Sequence, residues 1–159
     1  MGFSQRRVPR SEDYPVPRRD FYKRKPARVV LNSLRARKFR TMIREGAKRG
    51  PNFAGHYTIV TWGAGLGTFS MAVVDAKTGS IYFPPFTEVG DSTYGLPFID
   101  KGDNPAWRMN SKLFAFVGLP DKQSKGTGLY LYTFDKNYFR QVRFVPDTAE
   151  GRRELGLKP

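Results

Sequence analysis

A change of hydrophobic period at Gly50 and Pro51 does most to narrow the folds open to this chain. Before it, Leu34, Phe39, Met42, Ile43 and Ala47 fall at helical spacing over residues 33–49, and together they form one buried face. Asn32 or Ser33 supplies an N-cap. Gly50 supplies a left-handed cap, and Pro51 cannot continue the helix. After it the pattern turns β-rich. "HYTIVTW" alternates, with Tyr57, Ile59 and Thr61 on one face and Thr58, Val60 and Trp62 on the other. "TFSMAVVDAKTGSIYFPPF" reads as strand, turn, strand, with the turn at 75–79 and Pro84 and Pro85 ending the second strand. "KLFAFVG", "LYLYTF" and "YFRQVRFV" repeat the scheme, the last two joined around Asp135, Lys136 and Asn137. The tail from Asp147 holds one helical turn.

These elements predict an α+β domain over 29–159: one N-terminal amphipathic helix packed on a twisted antiparallel β-sheet of about six strands, arranged as two β-meanders. A Pro-rich basic arm, 1–28, precedes it in extended form, pinned by Tyr14, Phe21 and Tyr22. Residues 87–110 lack periodicity, and so form a functional loop or conceal a short strand. At 159 residues the chain is too short for a four-bladed propeller. Hydrophobic residues make up 39% and aromatic ones 14%, enough for a core and against global disorder. There is no transmembrane segment, because no apolar run approaches ~18 residues. The basic start is not followed by an apolar stretch, so the chain as written reads as cytoplasmic. Cysteine is absent, which removes disulfides, thiolate zinc sites and thiol nucleophiles and leaves the compartment open.

The net charge is +14, and 16 basic against 4 acidic side chains fall within the first fifty residues. Such asymmetry suits an acidic protein or other polyanion, with nucleic acid as an alternative. In the arm the cluster "RRDFYKRK" contributes Arg18, Arg19, Lys23, Arg24 and Lys25. Along the helix Arg37, Arg40, Arg44 and Lys48 form a basic stripe. Both sets can equally be charges left in water. Trp107 beside Arg108 is either a binding anchor or a structural plug.

His56 is the only histidine. It is the sole catalytic candidate by residue type, but no sequence spacing supplies a carboxylate to orient it, so a structural role is expected. "GAGLG" at 63–67 lacks both the following helix and the Lys-Ser/Thr pair of a phosphate loop, so a tight turn or bulge is expected. "DKGDN" at 100–104 lacks the length and closing glutamate of a calcium loop. No metal or cofactor is expected. The reading is a non-enzymatic binding module. The rivals are a nucleic-acid-binding protein and a small hydrolase-type enzyme with His56 as acid or base and Arg108 holding an anionic substrate.

The core "GPNFAGHYxxVxWGxGxG" followed by "VDxxTGxxY" resembles a group of short bacterial proteins of unassigned function, often exported. The resemblance covers about a quarter of the chain. In that group a cysteine pair often flanks the glycine turn. Ala64 and Thr68 occupy the matching places, so the resemblance implies a lost disulfide and a bacterial or phage source.

Overall fold

The structure is a computed structural model that describes residues 7–91, 104–122 and 125–159. It is α+β-like and mostly antiparallel sheet. Among the described residues the eight strands are β1 (Tyr57–Gly65), β2 (Thr68–Asp75), β3 (Ile81–Tyr82), β4 (Val89–Asp91), β5 (Ala106–Trp107), β6 (Leu113–Pro120), β7 (Gly128–Asp135) and β8 (Tyr138–Pro146). The main order is β1-β2-β4-β6-β7-β8, with β3 on β2 and β5 on β6. The expected count of six was low because β4 and β5 are too short to display alternation. Both lie in the unpatterned stretch 87–110, of which 92–103 fall outside the described residues. β4 joins the two halves of the sheet. Its Val89 pairs with Phe69 on one side and with Pro120 on the other.

The expected single helix over 33–49 is instead α1 (Leu34–Lys38) and α2 (Arg40–Ala47), and a third helix, α3 (Ala149–Glu154), closes the chain. The Ser33 hydroxyl caps α1 by accepting the Ala36 amide at 3.0 Å. Phe39 ends α1 and starts α2 with φ −105 and ψ 21, outside helical geometry. That break resets the helical phase. Leu34 and Met42 therefore leave the predicted apolar face and stand 82% and 52% exposed, while Ala36, Ile43 and Ala47 are buried. Phe39 is half-buried and packs on Trp62, with ring centroids 4.9 Å apart.

One sheet face is aromatic. Tyr57, Met71, Phe114, Phe116, Tyr130, Tyr132, Phe134 and Phe139 meet there in the main core. The sheet curls enough for Tyr57 of β1 to meet Phe134 of β7 edge to face, centroids 4.8 Å apart, although three strands separate them along the path. A register shift between Leu131 and Tyr132 inserts Val142 as an extra residue in β8. The bulge lets Phe139 and Phe144, of opposite parity, both face this core. On the outer face α1 and α2 cover Val60, Trp62, Ala72 and Val74. Val8, Tyr14, Leu155 and Leu157 cover Leu113, Ala115, Leu129 and Leu131.

The N-terminal segment lies on this body as a strap. The Val16, Tyr22, Ala27 and Val30 amides donate to the carbonyls of Asn110, Gly55, Ala76 and Gly79 at 2.8–2.9 Å. Tyr14 and Phe21 pack against core clusters. No helix among the described residues is long and apolar enough to cross a membrane.

Candidate functional site: a cationic groove between strap and helix

Strap and helix meet along a groove of about 470 Å³. Lys25 and Arg28 come from the strap, Arg44 and Lys48 from α2, and Pro26, Ala27, Val29 and Ala47 make an apolar floor. Geometry at the helix explains the alignment. Arg44 and Lys48 are one turn apart on α2, so they project along the same line. Ala47, between them in sequence, turns inward. The strap is held opposite because Ala27 and Val30 are hydrogen-bonded on either side of Arg28. Lys48 Nζ meets Glu45 at 3.1 Å on the surface. Among the described residues Lys25, Arg28 and Arg44 have no carboxylate partner, and all three are exposed.

The remaining sequence candidates divide among other places. Arg18, Lys23 and Arg24 are exposed on the strap and have no ion pair among the described residues, and Arg19 lies 4.0 Å from Asp20. Arg37 donates to the Leu31 carbonyl and Arg40 to the Arg37 carbonyl, both at 3.3 Å, so these two sit around the α1–α2 break. Trp107 is half-buried in β5 and stacks near Phe114 at 6.2 Å. Arg108 Nη1 meets Glu12 at 3.2 Å, and the Arg108 carbonyl accepts the Ala54 amide. That pair ties the strap to the body, away from the groove. Arg28 was not among the candidates. Its only sequence signal was a sixth cation close behind the arm cluster, since spacing alone cannot show which strap residues face the helix.

The stretch 50–67, with the GPNFAGHY core and the glycine turn, is a junction. Asn52 clamps Ile59 by accepting its amide at 2.8 Å and donating to its carbonyl at 3.2 Å. Ala54 and Gly55 adopt φ +47 and +85. The Gly55 amide donates to Met109, and its carbonyl receives Tyr22. His56 Nδ1 lies 3.0 Å from Asp75 Oδ1, which also accepts the Lys77 amide at 2.9 Å. Asp75 is thereby an acceptor, which assigns the proton to Nδ1. The imidazole stacks on Tyr57, ring centroids 4.0 Å apart. Tyr57 in turn donates to Asn137 Oδ1 at 2.6 Å, and burial, then the Asp75 charge, push its phenol up. "GAGLG" forms the β1–β2 hairpin tip with a bulge, and strand β2 follows it directly. The "DKGDN" stretch lies, apart from Asn104, outside the described residues.

Comparison with known protein families, with curated proteins and with solved structures finds no match for this chain.

Proposed function

We propose that the protein is a non-enzymatic binding module that receives an acidic protein segment along the groove between strap and α2. One observation carries this reading: Lys25, Arg28 and Arg44 converge on an apolar-floored groove with no carboxylate among the described residues to neutralise them. Exposed like charges gathered by the fold repel one another, and an anionic partner removes that repulsion. The floor favours protein over nucleic acid. Ala27, Val29 and Ala47 suit aliphatic side chains, whereas base stacking needs aromatic platforms. Phe21 and Tyr22, the aromatics interleaved with the basic cluster, are half-buried against the body. The strap, α1 and α2 also expose Val30, Leu34 and Met42 in turn, apolar contacts that a phosphate backbone does not use.

The test is fluorescence anisotropy with a labelled peptide alternating Glu and Leu, beside a Lys/Leu peptide and duplex DNA. The Glu/Leu peptide should bind, and the double change Arg28→Glu, Arg44→Glu should weaken it at least about tenfold, in line with interfacial charge pairs. Equal binding by the doubly reversed protein contradicts the proposal. Preference for DNA, with the same sensitivity to reversal, moves the reading to nucleic acid.

A further inference from the structure

A second cavity, of about 570 Å³, opens beside His56. Its walls come from the strap, the turn before β1, the β2–β3 turn and the β7–β8 turn. Four cations reach it, Arg19, Lys77, Lys112 and Lys136, against the carboxylates of Asp20 and Asp135. Lys112 is held by Asp135 at 2.8 Å, whereas Lys77 and Lys136 are exposed and have no ion pair among the described residues. Lys136 is fixed at the turn by φ +50. The Nδ1 contact to Asp75 leaves the His56 Nε2 lone pair with no hydrogen-bond partner among the described residues. Tyr22, half-buried, supplies an aromatic wall. The cavity thus sets unpaired cations beside two acceptors, the imidazole nitrogen and the exposed Asp20 carboxylate, which Arg19 approaches only to 4.0 Å. A bare anion satisfies only the first, and a neutral polyol only the second.

We propose that this cavity binds a small hydroxylated organic anion of the sugar-phosphate class. The charged group lies against Lys77 and Lys136, hydroxyls donate to His56 Nε2 and Asp20, and the carbon skeleton packs on Tyr22. Charge-assisted hydrogen bonds from the lysines supply strength. Selectivity comes from the half-buried imidazole nitrogen, which a ligand without hydroxyls would cover and leave unpaired. The site shares no residue with the groove and does not depend on it.

A single histidine makes the test direct, because its ring signals need no assignment. The full chain is titrated with ribose 5-phosphate at constant pH while the imidazole resonances are followed by NMR. The expected result is a saturable shift. The double change Lys77→Gln, Lys136→Gln, on two exposed side chains, should weaken binding at least about tenfold, as should replacing the probe by inorganic phosphate or by ribose. Arg28→Glu with Arg44→Glu should leave it unchanged. The proposal is overturned by the lack of a saturable shift, by a shift indifferent to the two lysines, by inorganic phosphate matching ribose 5-phosphate, or by loss of the shift on reversal of the groove charges.

Discussion

Gly79 has φ +79, and a Cβ there would collide with the Arg28 carbonyl where the strap crosses the β2–β3 turn. Gly79→Ala should therefore both strain the turn and lift the strap, at a cost of about 2 kcal/mol or more. Hydrogen exchange should quicken at the Ala27 and Val30 amides, and an unchanged rate there would show that the crossing does not hold the strap. His56 is a second residue whose role a substitution separates. Its bond to the buried Asp75 carboxylate predicts that His56→Ala lowers the melting temperature, by about 1–3 kcal/mol of lost hydrogen bonding. Groove binding of the Glu/Leu peptide should persist in that variant. The sequence showed no carboxylate to orient this imidazole, and the structure supplies one. Asp75 stands nineteen residues away, across a strand pair whose register no spacing reveals.

At the scale of elements, α2 closes on β1 through a glycine. A Cβ at Gly46 would lie 2.5 Å from the Val60 side chain. Gly46→Ala therefore gains helix propensity and loses more to overpacking, with a net destabilisation of about 1–3 kcal/mol expected in a denaturant titration. If the variant proves more stable, the helix–sheet contact is looser than the structure shows. One carboxylate braces the approach to β4: Asp121 Oδ1 accepts the Thr87 and Glu88 amides at 2.6 and 2.9 Å. The helix boundary at Gly50, the Ser33 cap and the two outer hairpins were readable, since each rests on local chemistry or on several turns of periodicity. The break at Phe39 was not, because no Pro or Gly marks it. The strands Val89–Asp91 and Ala106–Trp107 were hidden for a different reason: two or three residues form strands only when tertiary pairing supplies the partner.

For the molecule as a whole, charge couples stability to pH. The Arg7 hydrogen bond holds Asp13 below the usual carboxylate range, and the Lys112 bond does the same for Asp135. Burial raises Asp121, but the Glu88 and Thr87 amides together outweigh it and keep it low as well. Each carboxylate is depressed in the fold, so its contribution is complete above the ordinary value of about 3.9 and is lost as pH falls through the native value. With a net charge of +14 at neutrality, protonation also adds to self-repulsion. Melting temperature should therefore drop from about pH 5 to about pH 2, and less steeply in Asp121→Asn; a flat profile would show that these contacts are marginal. The basic character of the N-terminal third was plain from composition. That its cations would meet those of the helix was not, because the strap's path is set by backbone bonds to Gly55, Ala76 and Gly79, which are distant in sequence.

Amide chemical-shift mapping with the Glu/Leu peptide puts the shared surface of strap and helix to the sharpest trial. Shifts should appear together at 25–29 and 44–48 and fade as salt rises, while Trp107, Arg108 and the His56 ring stay still. Shifts confined to one of the two elements, or centred on Trp107, would contradict a groove made by both.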